Sequence, residues 1–329
     1  MKIAVIGAGA IGGFVGTHLA HAGEDVTFIA RGATLEALKT RGIRVIMNDG
    51  SEKAVPTIKA TADYSAAGPQ DVVVLAMKAH QLEAVAADVP KLLGPGTVVV
   101  PMQNGIPFWY FHKHGGALEG RTVTSVDPTG AIQKNIPGER VIGCVVYPAT
   151  ELLAPGVIKQ IEGNRFPVGD LDGTLSERVQ RVSECFIRCG LQSPVLPDIR
   201  AEMWLKLWGT MTFNPISALS RGTLAAICQY PPTRELARAM MTEAQAIAEK
   251  LGISFRVPIE KRIAGAERVG HHKTSMLQDV EAGRALETEA LLGSVIELGR
   301  MTATPTPHLD AVFALTKLLE QSQAQARTP

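Results

Sequence analysis

Along the first half of the chain, short solid apolar runs alternate with segments of helical period; along the second half the helical period stands almost alone. Lys2 to Ile6 is an apolar run that reads as a buried strand, and Ala10 to Ala22 reads as a helix stopped by Gly23. Asp25 to Ala30 is a second strand. Asp71 to Met77 (DVVVLAM) is apolar almost throughout, as expected of a parallel strand covered on both faces. A helix over Gln81–Leu93, a Gly94-Pro95-Gly96 break and a strand over Thr97–Met102 follow. This βαβ alternation predicts an α/β domain with a doubly wound sheet.

Arg140–Val146 and Gly156–Ile161 are predicted as antiparallel strands extending that sheet, Leu175–Cys189 as a helix and Ser193–Leu196 as a last strand. Beyond Asp198 the pattern predicts helices over 199–213, 232–251, 258–268, 275–282, 286–301 and 308–324, with a frayed tail from Gln321 to Pro329. The reading is therefore residues 1–197 as an α/β domain and 198–329 as a second, mostly α-helical domain. Residues 108–138 carry no assignable period. Their aromatic run, Phe108 to His114, reads either as a loop packing its own small core or as a flap over a ligand.

Composition narrows the class. A chain of 329 residues has two domains as its natural prior, and 46% hydrophobic with 20% charged residues is ordinary for a globular protein. The formal charge is +1, from 33 basic and 32 acidic residues, so the balance gives no reason to expect nucleic acid or an acidic membrane as partner. The N-terminal apolar stretch is interrupted by Gly7, Gly9, Gly12 and Gly13, which argues for a folded strand and turn over a signal peptide, and no run reaches the ~18 apolar residues of a membrane span. Cys144, Cys185, Cys189 and Cys228 form no C-x-x-C pair. Cys185 and Cys189 are one helical turn apart, but without a partner at zinc-like spacing they read as packed thiols, with no metal and a cytoplasmic location expected.

Candidate chemistry begins five residues from the N-terminus. Gly7-Ala8-Gly9-Ala10-Ile11-Gly12 is G-x-G-x-x-G between a strand and a helix, the context that the dinucleotide (Rossmann) fingerprint requires. Gly7 permits the turn, Gly9 lets the backbone approach a pyrophosphate, and Gly12 allows close helix–strand packing, with the helix N-terminus facing the phosphates. After the second strand an NAD site would place Asp or Glu. This chain has Arg31 instead, and no carboxylate until Glu36, which favours NADPH because a guanidinium pairs with the 2′-phosphate. Arg31 as a solvated surface residue is the alternative. Lys78 and Asn104 stand at the ends of later strands, where α/β ligands bind; Asn104-Gly105 also suits a plain turn.

In the helical half, Lys206, Thr210 and Asn214 are spaced i, i+4, i+8 and share one helix face among Trp204, Leu207, Trp208, Met211 and Phe213. Pro215 should end or kink that helix after Asn214. A lysine in so apolar a wall has its pKa lowered and suits general acid work, protonating a ketone oxygen while hydride reaches the carbon; a snorkelling lysine is the alternative. Ser275 reads as an N-cap with Gln278 completing a capping box, and Glu287 as a cap of the next helix.

Taken together, GAGAIG, Arg31, Lys78, Gln103-Asn104-Gly105, Trp204-x-Lys206-Leu207, Asn214-Pro215 and Ser275-Met-Leu-Gln-Asp279 with Gly283-Arg284 and Glu287 resemble the ketopantoate reductase family over nearly the whole chain. The resemblance implies an N-terminal Rossmann domain, a C-terminal helical domain, and substrate and nicotinamide in a cleft between them. It further implies that Arg31 and Lys78 hold NADPH phosphates, that Asn104 lies near the nicotinamide, that Lys206 is the proton donor, that Asn214 and Ser275 contact substrate, and that Glu287 places the cofactor ribose and the lysine. The reaction implied is reduction of 2-dehydropantoate to pantoate on the route to coenzyme A. Thr210 departs from the family by standing where a second substrate-binding Asn is expected, Leu286 replaces a Thr, and the 108–114 segment looks inserted. Three readings follow: the family reaction itself, an NADP-linked D-2-hydroxyacid dehydrogenase for another branched or aromatic 2-keto acid, and an NADP-binding sensor without turnover. A homodimer is compatible with the apolar helical domain.

Overall fold

The computed structural model describes residues 1–325 and divides into two compact units. One comprises Met1–Gln103, Phe108–Thr122 and Thr129–Ile199; the other comprises Asn104–Pro107, Val123–Pro128 and the chain from Arg200 onward.

In the first unit the chain runs β1 (Lys2–Ile6), α1 (Ala10–His21), β2 (Asp25–Ile29), α2 (Gly32–Arg41), β3 (Ile43–Ile46), β4 (Glu52–Val55), β5 (Lys59–Thr61), α3 (Tyr64–Ala67), β6 (Gln70–Leu75), α4 (Ala79–Ala86) and β7 (Leu93–Pro101). It continues through α5 (Ala131–Asn135), β8 (Gly143–Cys144), β9 (Ala149–Ala154), β10 (Val157–Glu162), β11 (Val168–Gly169) and α6 (Glu177–Arg188). A five-stranded sheet in the order β5-β2-β1-β6-β7 is parallel throughout, with Val5 opposite Phe28 on one side and Val74 on the other. The Val-rich runs are buried along it because helices cover such a sheet.

Gly156–Ile161 does not extend this sheet beside Arg140–Val146 as expected: it forms β10 in a hairpin with β9, a strand the pattern does not announce. β10 pairs in parallel with β3, giving a separate four-stranded sheet, β4-β3-β10-β9. The reason lies in α1, which is buried on nearly every side. A Cβ on Gly16 would fall 2.3 Å from the Phe28 ring, and one on Gly13 would fall 2.5 Å from Ile158. The two glycines let α1 lie close to both sheets, with the buried Ile158 of β10 against Gly13, while Leu152, Leu153 and Ile161 of the hairpin are exposed. Of Arg140–Val146 only Gly143–Cys144 is strand, paired with β11; Val141 bridges β7 in the parallel sense, and Ser193–Leu196 contributes only one isolated bridge, Val195 to Val168. The helix expected to Leu93 ends at Ala86 and gives way to a 3-10 turn over Val89–Leu92 that contains Pro90, while β7 begins early, its Gly-Pro-Gly absorbed by a register irregularity opposite Gln70–Val72.

Phe108, Trp109, Tyr110 and Phe111 are all buried, Tyr110 packing edge-on against Phe111 at 4.9 Å. Gln133 Nε2 donates to the Phe108 carbonyl at 2.9 Å and Thr122 Oγ1 to Gln133 at 2.6 Å. This burial agrees with the reading of a loop that packs its own core. None of the four cysteines is in a disulfide, and all are buried. Cys185, Cys189 and Glu24 place their donor atoms within 4.8 Å of one another, a grouping that spacing along the chain does not show; the Glu24 carboxylate also meets the Met1 amine and Arg188.

The second unit is helical: α7 (Ile199–Ser220), α8 (Leu224–Gln229), α9 (Pro231–Lys250), α10 (Ile259–Arg268), α11 (Ser275–Glu281), a π turn (Glu289–Gly293) running into α12 (Ser294–Met301), and α13 (Pro307–Gln325). The tail expected to fray at Gln321 is helical to Gln325, and its remainder lies outside the described residues. Pro215 does not stop α7, which continues to Ser220. Met211 to Ala218 are buried without a break, and that burial outweighs a proline's cost of roughly 3 kcal/mol. Trp204 and Trp208 are fully buried, with Trp208 Nε1 donating to the Met241 carbonyl at 2.8 Å. Among the described residues no helix is long and apolar enough to cross a membrane.

Candidate functional site

In the first unit the fingerprint turn joins β1 to α1. Gly7 has φ +95°, and its N–H donates to the Ile29 carbonyl at 3.1 Å; a side chain there would meet the Met77 backbone. A Cβ on Gly12 would fall 1.9 Å from the Gly7 oxygen and 2.8 Å from the Ala76 Cβ, so this position closes the helix onto the strand. A Cβ on Gly9 would meet nothing within 4 Å, so the space beside it is open. The first helical hydrogen bond of α1 runs from Gly13 N–H to the Gly9 carbonyl at 2.7 Å, which leaves the N–H groups of Ala10, Ile11 and Gly12 ahead of the ladder. No side chain caps this end, and no acidic residue lies in its first turn. Open space at Gly9 beside an uncapped helix N-terminus fits a dinucleotide pyrophosphate. Ala8 is buried beneath the turn.

Arg31 follows β2 by two residues, is exposed and stands at the N-cap of α2. Lys78 follows β6, is half-buried and occupies the N-cap of α4, its N–H donating to Gln81 Oε1 at 3.2 Å. Arg31, Lys78 and the glycine turn thus share the carboxyl edge of the parallel sheet. Gln103 Nε2 donates to the Leu75 and Met77 carbonyls at 2.8 and 3.1 Å, fixing the end of β6; motif reading named this residue without a role.

In the second unit, Lys206 Nζ donates to Asn104 Oδ1 at 2.6 Å, and Asn104 Nδ2 donates to Glu287 Oε2 at 3.3 Å. Three candidates from three distant segments therefore form one chain of ammonium, amide and carboxylate. All three are half-buried. Glu287 does not turn its side chain to cap the next helix: its backbone carbonyl accepts from Leu291 N–H at 3.0 Å, and its carboxylate faces Asn104.

The seat of Asn104 is built from features the periodicity does not announce. Gly105 has φ +93°, and a Cβ there would fall 2.0 Å from the Ala290 oxygen. That carbonyl, inside the π turn, accepts from Ile106 N–H at 3.1 Å and from Ser294 Oγ at 2.6 Å. The wider turn displaces the helical ladder by one residue and exposes a carbonyl for the loop to bond. Nearby, Glu297 accepts from the N–H and hydroxyl groups of both Thr124 and Ser125 at 2.6–2.8 Å. Burial pushes its carboxyl up, but the bonds from Ser125 and Thr124 outweigh this and hold it below the ordinary range.

The N-cap of α11 is Thr274, not Ser275: Thr274 Oγ1 accepts from Leu277 N–H at 3.2 Å. Relieved of capping, the exposed Ser275 accepts from Asn214 Nδ2 at 3.3 Å. Thr210 bonds back to its own helix, at 3.2 Å to the Leu207 carbonyl and 3.4 Å to that of Lys206.

A parallel sheet with an uncapped glycine turn, and a helical unit holding a lysine in a polar chain, are features that a dinucleotide-dependent reductase requires. The family model described as Ketopantoate reductase PanE/ApbA matches residues 3–173, and its C-terminal counterpart matches residues 198–320. A 2-dehydropantoate 2-reductase of Mesorhizobium japonicum is 53% identical over 97% of this chain and 98% of its own, and one of Pyrococcus horikoshii is 30% identical over 97% and 98%. A solved Ralstonia solanacearum structure assigned to ketopantoate reductases superposes with a TM-score of 0.94 at 41% identity, covering 98% of each chain. A D-mandelate dehydrogenase solved with NADH and anilino(oxo)acetate shares the fold at 22% identity, TM-score 0.84, over 98% of this chain and all of its own. The chain belongs to the ketopantoate reductase family.

Proposed function

We propose that this protein reduces a 2-keto acid, 2-dehydropantoate foremost, using NADPH and with Lys206 as general acid. The hydrogen-bonded chain Lys206–Asn104–Glu287 carries the reading. A proton donor must be held where the substrate oxygen gains charge, and Asn104, itself held by Glu287 and the Gly105 turn, fixes the ammonium. Lys206 gives its proton to the ketone oxygen as that oxygen becomes an alkoxide. Asn214 and Ser275, already within hydrogen-bond distance of each other, offer the substrate an amide and a hydroxyl.

The bound dinucleotide supplies hydride. Gly7, Ala8, Gly9, Ala10, Ile11 and Gly12 would hold its pyrophosphate, Arg31 the 2′-phosphate, and Lys78 a further phosphate; Asn104 and Glu287 are the candidates for its nicotinamide end. Arg31 supports NADPH over NADH because its position after β2 carries a cation where an NAD site carries an acid.

One observation favours a second reading. With its hydroxyl turned to its own helix, Thr210 presents a methyl group where the family resemblance leads one to expect an amide. That suits a keto acid with an apolar branch and no terminal hydroxyl. Following NADPH absorbance over a panel of 2-keto acids separates the readings. Preference for 2-dehydropantoate supports the first, preference for 3-methyl-2-oxobutanoate or an aromatic keto acid supports the second, and no oxidation with any of them removes both.

A further inference from the structure

We infer that Arg262 binds the carboxylate of the keto acid, an assignment that rests on the reading of Lys206 given above. A glycine within a helix is the starting point. Gly209 lies in the interior of α7, where glycine disfavours the helix relative to alanine. A Cβ built at Gly209 would fall 2.0 Å from Nη2 of Arg262, 2.8 Å from its Cζ and 3.3 Å from its Nε. The guanidinium therefore lies against α7 at a position with no side chain, and a larger residue there would expel it.

Position supplies the second step. At about 100° per residue, Gly209 projects about 60° to one side of Lys206 and Asn214 about 80° to the other. Seen down the axis of α7, Lys206 thus lies between the Arg262 guanidinium and the Asn214–Ser275 pair, while along the axis Gly209 sits about 4.5 Å and Asn214 about 12 Å beyond it. Gly209 is three residues beyond Lys206, the spacing of helix-surface neighbours. In a 2-keto acid the carboxylate and the ketone are on adjacent carbons, so the groups that meet them must also be neighbours.

Charge supplies the third. Asn104, Thr210, Asn214 and Ser275 are neutral, and Glu287 is an acid. Lys206 is committed to the ketone oxygen, so the substrate's carboxylate needs another cation. A guanidinium matches the two carboxylate oxygens with two parallel N–H bonds, which an ammonium does not. α10 carries Arg262 as a fixed element: Ile263 is buried, and Glu260 and Glu267 pair with Arg234 of α9 at 3.3 and 3.2 Å.

The test compares 2-dehydropantoate with its uncharged lactone, which keeps the ketone and loses the carboxylate. Wild-type enzyme is expected to favour the acid in kcat/KM. Arg262→Met is expected to shrink the acid-to-lactone ratio at least tenfold through KM for the acid, and Arg262→Lys to restore part of it. Gly209→Ala should act in the same direction by pushing the guanidinium aside, while its Tm stays level or rises because alanine suits a helix. That pairing of an undamaged fold with a weakened preference for the charged substrate is not what a structural role for Arg262 produces. An unchanged ratio in both Arg262→Met and Gly209→Ala overturns the assignment alone. Wild-type enzyme that turns over no keto acid, or a Lys206→Met variant that matches it, overturns the reading of the site and this inference with it.

Discussion

The glycine turn and the Lys206 chain are built in opposite ways. The turn is six consecutive residues whose geometry is dictated by backbone sterics: a positive φ at Gly7, a contact at Gly12 that no Cβ survives, and open space at Gly9. The lysine chain joins residues separated by 102 and 183 positions, and each link depends on a different tertiary contact. The first site is a local device that any well-placed β1–α1 unit can carry. The second exists only once α7, the π turn and the Asn104 loop have all found their places, so it should be the more easily disturbed from a distance.

Four substitutions would break or sharpen this contrast. Lys206→Met should lower turnover by about two to four orders of magnitude while leaving NADPH binding nearly intact, as stopped-flow absorbance and fluorescence titration would show. Equal loss of both would make the residue structural. Gly105→Ala collides with the Ala290 carbonyl and should cost about a hundredfold in kcat, more than in the NADPH dissociation constant, because a small displacement of Asn104 misplaces the ammonium. Wild-type kcat in that variant would show that the π turn positions nothing.

Arg31→Ala should remove charge-assisted hydrogen bonds of about 1.5–3 kcal/mol from NADPH, weakening it roughly ten- to hundredfold and NADH hardly at all. Parallel weakening of both cofactors would show that Arg31 does not read the 2′-phosphate. Glu297→Gln should lower stability by about 1–3 kcal/mol at neutral pH with turnover little changed. Its sign with pH is fixed by the lowered carboxyl: the contribution is full above the pKa of the unfolded chain and is lost as pH falls through the folded value. The Tm gap between wild type and variant must therefore narrow on acidification, and a gap that widens refutes the clamp.

Legibility in the sequence follows the same divide. The fingerprint was readable because strand, turn and helix are adjacent, and the parallel strands because burial on both faces leaves a solid apolar run. Lys206 stood out through its row with Thr210 and Asn214. What the pattern missed was set by partners elsewhere. β9 reads ATELLA and β10 VIKQIE, neither a clean alternation, and nothing in them says that the neighbour of β10 is β3 rather than the edge of the main sheet. Ser275 and Thr274 are equally good caps by type, and only the backbone decides between them. The bond from Asn104 to Glu287 has no local signature, nor has the guanidinium lying on Gly209.

Rescue of Lys206→Ala by added primary amines tests the central claim most directly. With 2-dehydropantoate and NADPH at saturation, methylammonium or ethylammonium should restore a measurable part of the lost turnover, in proportion to the protonated form of the amine. A variant as active as wild type without any amine would contradict the assignment of Lys206 as the acid.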